Sequence, residues 1–480
     1  MSQRLKLAAW ASARNLLSAM REQPAFRPAA DRVIDWVRQD RTSTAVASCG
    51  EPGQERALHD LLAGNERAEA VARRVVMVCG SLQPGGAERQ LVNAAIGLAS
   101  RGVRDITVLC AHLAPRQPEA YDFFCPALRA IGAVVRQIRR PLPLHARLPA
   151  KLLEAAPMLP AAFVCDTADL WRELIELRPT VVHAWLDWSN IRAGTAAVLA
   201  GIPRIILSGR NLNPTRFFFH EPVMRAAYRP LLACPGVVLL NNSIAGAEDY
   251  ADWLEVPRER IDVVYNGTAL PKYDPPAALA ERRRIGVPDD ALLIGSMFRF
   301  SPEKRPLLWL DAAAAILARR DDTLFAVYGM GPMLAEIRDR AVALGLQRRL
   351  ILPGLSADPL AALGAMDLFL LTSEAEGTPN TMIEAQWAGK PVIACAAGGV
   401  AETFLPGETG ILVPGPDPEA IADAVLEWAV DRDRLERARE IGPAFVASRF
   451  SLDRMVEALI THYGFYGPCH PCLTAAAPEG

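Results

Sequence analysis

Short, unbroken apolar runs recur along this chain, and each is followed by a stretch with helical spacing. VVMVC at 75–79, ITVLC at 106–110, VV at 134–135, VVH at 181–183, RIIL at 204–207 and VVLL at 237–240 form a first series. LLIGSM at 292–297, FAVY at 325–328, LIL at 350–352, LFLL at 368–371 and PVIAC at 391–395 form a second. Runs that are apolar throughout, instead of alternating, read as strands buried on both faces, hence as parallel strands covered by helices on both sides. Two such series predict two α/β units.

Residues 372–402, TSEAEGTPNTMIEAQWAGKPVIACAAGGVAE, carry the densest chemistry. Glu376 and Glu384 stand eight positions apart across a loop that turns into a helix. Gly377, Pro379 and Asn380 break the preceding strand. Thr381-x-x-Glu384 reads as a capping box opening the helix, and Gly389 with Pro391 reads as its stop. The polar groups therefore gather at the carboxyl ends of parallel strands, where open α/β sheets bind ligands. Free amides at 380–382 suit a phosphate.

The Glu-Gly pair, the two glutamates at this spacing, and the runs EA, AGKPVIA, GGVAE and ETGILV in register resemble the donor-binding segment of retaining glycosyltransferases of family 4. That resemblance implies a GT-B fold, two Rossmann-like domains facing across a cleft, over about residues 73–466. It implies donor contacts from Glu384, Gly377, Asn380 and Thr381, with Glu384 on the ribose and Glu376 facing the transferred sugar. Arg299 and Lys304, five residues apart after the 292–297 strand, match the residues that grip the donor diphosphate; a fork of donors and a point charge both suit phosphate oxygens. Alone, that pair would read as an exposed basic turn. Gly85 and Gly86 match the family's glycine loop, where the backbone can approach a ligand. Leu355 falls beside the nucleotide base.

On the acceptor side His183, Trp185 and Arg210 follow strand ends. His183 is either a satisfied polar group or a cleft residue. The family often has His-x-His here and this chain has His183-Ala184-Trp185, which leaves Trp185 as a stacking surface for a sugar ring. The resemblance further implies a nucleotide-diphosphate sugar donor, a glycan or lipid-linked acceptor, retention of configuration, no cofactor and no metal. Surface polysaccharide or glycolipid synthesis at the cytoplasmic side is the expected setting. A non-catalytic binding protein on the same body, and a sugar-nucleotide epimerase, are the competing readings.

The domain expectation is a helical extension over 1–72, an acceptor domain over 73–275, a donor domain over 285–450, a crossover helix over 451–466 and a tail over 467–480. Residues 41–56 read as a loop. Leu5, Ala9, Ala13, Leu16 and Met20 recur at helical spacing beside Arg4, Lys6, Arg14 and Arg21; such a helix either lies on an anionic membrane through residues 1–22 or packs on the body. With 480 residues, 22% charged and a net charge of −2, the chain lacks the basic excess of a nucleic-acid binder. No apolar run reaches the length of a membrane span. The nine cysteines read as reduced, and Cys469-His-Pro-Cys472 as part of a Pro/Ala-rich tail instead of a metal or redox site. Gly329-Met-Gly331 lacks the third glycine of a dinucleotide fingerprint, since Leu334 stands in its place, so no nicotinamide cofactor is expected.

Overall fold

In the computed structural model the described residues are 51–65, 73–113, 121–139, 149–217 and 219–465. The basic segment 1–22, Cys469, Cys472 and the tail lie outside them. Two separate parallel sheets form. The first holds β1 (Arg74–Cys79), β2 (Asp105–Cys110), β3 (Val134–Gln137), β4 (Val181–Trp185), β5 (Arg204–Ser208), β6 (Val237–Asn241) and β7 (Ile261–Val263). Its order is β3-β2-β1-β4-β5-β6-β7. The second holds β8 (Leu292–Met297), β9 (Thr323–Tyr328), β10 (Leu350–Gly354), β11 (Leu368–Leu371), β12 (Val392–Cys395) and β13 (Gly410–Val413), in the order β10-β9-β8-β11-β12-β13.

Each sheet has apolar layers on both faces. Val76 and Val78 of β1 pack toward one layer of the first unit, while Val75 and Met77 pack toward the other. The second unit divides in the same way: Ile294 faces one layer and Leu293 the other. This two-sided burial is why the strands carry no polar alternation. Strand order reverses between β1 and β4, and again between β8 and β11. Those two switch points put the loops after β1, β4, β8 and β11 at the crevices where such sheets take ligands.

Two helices depart from simple alternation. The loop expected over 41–56 is overturned in its second part, because Glu51–Leu62 is helical. Pro52 is tolerated in the first turn, where its missing amide costs nothing. Leu58, Leu61 and Leu62 are buried, and Glu51 and Glu55 meet Arg225 and Arg229 at 2.9 and 3.4 Å. The Pro-Gly pair at 52–53 masked this amphipathic face.

The last helix, Leu452–Tyr463, follows the second unit in sequence yet inserts Met455, Val456, Leu459, Ile460 and Tyr463 into a layer of the first. It crosses the helix Gly86–Ser100 at Gly97, where a Cβ would overlap Val456 Cγ2. Only glycine admits so close a crossing. Among the described residues no helix is long and apolar enough to cross a membrane. The six cysteines among them are free thiols, five of them buried.

Candidate active site

The glycine loop after β1 leads into the helix Gly86–Ser100, capped by Gly85 in an extended conformation without a side-chain bond. The room left by these glycines is taken up by protein. A Cβ at Gly85 would overlap the Glu88 carboxylate, and one at Gly86 would come to 3.3 Å from Asn380 Nδ2. Glu88 is buried; burial raises its pKa, opposed by Gln83 and by the charge of Arg299. Arg89, the next residue, reaches the other domain and pairs with Glu384 at 2.7 Å.

In the second unit, the loops after β8 and β11 are stitched together. Glu374 N donates to Glu303 O at 2.8 Å, and Thr372 Oγ1 donates to Lys304 O at 3.1 Å. That stitching brings Lys304 Nζ to 2.5 Å from Glu376 Oε1, with the glutamate side chain 8% exposed. The basic turn is therefore not a free surface at Lys304. Arg299 is exposed and makes no side-chain hydrogen bond or ion pair to the described residues.

The capping box expected from Thr381 and Glu384 does not form. The helix runs Asn380–Trp387, Pro379 is its cap, and no side chain caps it. Pro379 sets the cap two residues earlier than the Thr381 spacing predicts, so Thr381 is already inside the first turn. The amides of Asn380 and Thr381 consequently have no helical acceptor. Glu384 is released from capping: Oε1 meets Arg89 and Oε2 is buried without a partner. Burial raises its pKa, and Arg89 acts in the opposite sense.

The side chain of Asn380 is likewise committed to protein, its Oδ1 accepting from Gln90 Nε2 at 3.0 Å and from Asn266 Nδ2 at 2.8 Å. Gly377 is pressed against the first domain, where a Cβ would overlap Asn242 Oδ1. Leu355 follows β10 and is 71% exposed.

Residues 84–270 match the family described as Glycosyltransferase Family 4, and residues 279–445 match Glycosyl transferases group 1. The Vi polysaccharide biosynthesis protein VipC/TviE of Salmonella typhi is 30% identical over 419 residues, covering 81% of this chain and 71% of that protein. The chain is a group 1 glycosyltransferase. A D-inositol 3-phosphate glycosyltransferase of Geodermatophilus obscurus is 31% identical over 349 residues, 67% of this chain and 72% of that one. Anabaena HepE, crystallised in complex with UDP and glucose, superimposes with a TM-score of 0.68 at 20% identity, covering 82% of this chain and 100% of HepE. The fold of this group 1 glycosyltransferase is thus GT-B.

Two expectations on the acceptor side are corrected. His183 is fully buried and both ring nitrogens are occupied, Nδ1 with Tyr463 Oη at 2.6 Å and Nε2 with Ser208 Oγ at 2.7 Å. Burial first, and Arg210 second, hold its pKa well below the ordinary imidazole value. It is a neutral structural residue that joins β4 to the last helix. Trp185 is 1% exposed: His183 stacks on it at 4.5 Å, and Arg210 lies over the ring at 4.7 Å. No ring face is open to a sugar. Arg210, half-buried, donates through Nη2 to Asn266 Oδ1.

Several residues at this site escaped the sequence reading. Asn266 donates to Thr378 O at 2.8 Å as well as to Asn380. Glu402 spans the domains, accepting from the amides of Ile244 and Ala245 at 2.8 Å each and from Tyr265 Oη at 2.9 Å. Its carboxylate sits on the first turn of the helix Ile244–Leu254, the favourable end of that helix's dipole. The GGVAE run held Glu402 and the GGAE loop held Glu88, but spacing alone assigns neither a partner. Among the described residues no three His, Cys, Asp or Glu side chains gather as a metal-binding group.

Proposed function

We propose that this enzyme moves a sugar from a nucleoside-diphosphate sugar to a glycan or lipid-linked acceptor during polysaccharide synthesis, retaining the anomeric configuration and requiring no metal. The observation that carries the reading is Glu384, whose one carboxylate oxygen is fixed by Arg89 while the other is buried and unpartnered beside a helix start. A pair of ribose hydroxyls would satisfy it.

The diphosphate lies between Arg299, Lys304 and the amides of Asn380 and Thr381, with Gly377 keeping the adjoining loop close. The base lies against Leu355, and the Gly85-Gly86 loop borders the diphosphate. As the glycosidic bond breaks, charge grows on the leaving phosphate oxygen. Fixed cations and amides stabilise that charge without having to reorganise. Lys304 then turns from Glu376 toward the diphosphate, and Glu376 is freed to hold a sugar hydroxyl or balance positive charge at the anomeric carbon.

The complex of HepE with UDP and glucose supports a uridine nucleotide as the first donor to try. The name of the Salmonella relative supports a place in polysaccharide synthesis, and a cytoplasmic enzyme, peripheral to the membrane, fits such a role. The test is calorimetric titration with UDP and other nucleoside diphosphates, followed by donor turnover with UDP-sugars in the presence and absence of EDTA. The anomeric proton of the product reports retention or inversion. Binding without any donor hydrolysis, transfer or epimerisation would leave a binding protein; a changed donor without an acceptor would leave an epimerase.

A further inference from the structure

Arg210 stands directly after Gly209 at the carboxyl end of β5, on the first domain's wall of the cleft. Its carbonyl oxygen abuts Gly377 of the opposite domain, where a Cβ would approach to 2.8 Å. Its surroundings carry no compensating charge. The guanidinium lies over Trp185 at 4.7 Å, with the neutral His183 stacked on that indole. Its hydrogen-bond partner is an amide, Asn266.

Arg192 and Arg282, both buried, are treated differently by the fold. Arg192 meets Asp166 at 3.1 Å and Glu221 at 2.9 Å, and Arg282 meets Asp367 at 3.1 Å. Among the described residues no carboxylate pairs with Arg210. Arg210 is half-buried, and partly withdrawing a guanidinium from water without a counter-charge is unfavourable, so such a residue weakens the fold unless something anionic joins it. Burial lowers its pKa to about 9, which leaves it charged at neutral pH. Arg210 Nε and Trp185 Nε1 are moreover both buried without an acceptor. Arg210 thus offers an unused N–H donor and an uncompensated positive charge, on a residue that is only half-buried.

We propose that Arg210 is an oxyanion receptor on the acceptor side of the cleft, and that the acceptor carries a carboxylate or phosphate there. The donor diphosphate has its own cations, Arg299 and Lys304, on the other domain. The proposal rests on the glycosyltransferase reading above for calling the bound molecule an acceptor; the receptor itself follows from the unpaired charge.

The experiment is calorimetric titration of the full chain, with and without saturating UDP, using methyl glucuronide, glucose 6-phosphate and neutral methyl glucoside. At least tenfold tighter binding of one or both anionic sugars is expected, and which of them binds identifies the oxyanion. Arg210→Met should abolish the preference, leave UDP affinity unchanged, and melt higher than the wild type when ligand-free. Arg210→Lys should keep part of the preference, because the charge stays while the Nε donor is lost. Equal binding of charged and neutral sugars by the wild type would overturn the proposal, and that comparison needs no variant. Weakened UDP binding in Arg210→Met would also overturn it, by assigning Arg210 to the donor. A wild type that binds no nucleoside diphosphate would instead count against the donor reading, with the sugar titrations still deciding the receptor.

Discussion

Arg89 of the first domain and Glu384 of the second meet across the cleft, Nη1 to Oε1 at 2.7 Å, while Glu384 Oε2 stays buried and unpartnered. This contact fixes one carboxylate oxygen from the first domain and leaves the other without a protein partner.

Glu384→Gln should weaken donor binding roughly 10- to 100-fold, the range for losing a hydrogen bond to a charged group, about 1.5–3 kcal/mol. Burial raises the folded pKa of Glu384, so the folded state holds the proton more tightly than the unfolded one. Its contribution to stability therefore falls as pH rises from the ordinary carboxylate range through the raised value. The glutamine variant lacks that loss and should melt within a degree or two of the wild type at pH 7. Wild-type donor affinity should fall on acidification at a higher pH than an ordinary carboxylate would give, and the variant's affinity should be flat there. Titration calorimetry between pH 5 and 8 reads both; identical pH profiles would remove Glu384 from the donor site.

Lys304→Ala and Arg299→Ala should each reduce donor turnover more than tenfold, but they should differ in stability. Removing Lys304 strands the nearly buried Glu376 carboxylate, costing about 1–3 kcal/mol. Arg299 is exposed, and its loss should stay within about 0.5 kcal/mol. Chemical denaturation alongside steady-state rates separates the two. Normal turnover in both variants would contradict the diphosphate assignment.

Glu402→Ala should loosen the two domains, because the amides of Ile244 and Ala245 and the hydroxyl of Tyr265 lose their shared acceptor. Small-angle scattering should report a larger radius of gyration for the ligand-free variant, and donor affinity should fall with it. An unchanged scattering curve would mean that the other bridges, among them Asn266 to Thr378 and Asn380, Gln90 to Asn380 and Arg89 to Glu384, hold the domains unaided.

Gly97→Ala should destabilise the first domain by about 1–3 kcal/mol, the usual cost of overpacking a tight crossing. Val456→Ala in the same chain makes room for the added methyl, and the double variant should recover part of the loss. Additive losses in urea unfolding would show that the helices do not meet as described.

The architecture was legible in the sequence because two-sided burial writes itself as unbroken apolar runs, as at 75–79 and 368–371. Lys304 and Glu376 were legible as residues but not as a pair, since the stitch from Glu374 to Glu303 that unites them is made by backbone atoms. His183 and Trp185 misled for the opposite reason. A polar or aromatic residue at a strand's end looks the same in sequence whether it faces the cleft or the last helix. What decides it is Tyr463, 280 positions away from His183. The Glu384 cap failed over two positions, because Pro379 took the cap in place of Thr381.

The helix Leu452–Tyr463 has a consequence for how the protein is made. The first sheet leaves the ribosome early, but one of its apolar layers is completed by Met455, Val456, Leu459, Ile460 and Tyr463, among the last described residues. Until those residues emerge, the layer around Val75, Met77 and Leu91 has an open side, and the second unit, whose own layers need nothing from beyond Phe450, can close first. Synthesis order and folding order are thereby reversed, and a nascent chain stalled before residue 452 would hold a finished second unit tethered to an unfinished first.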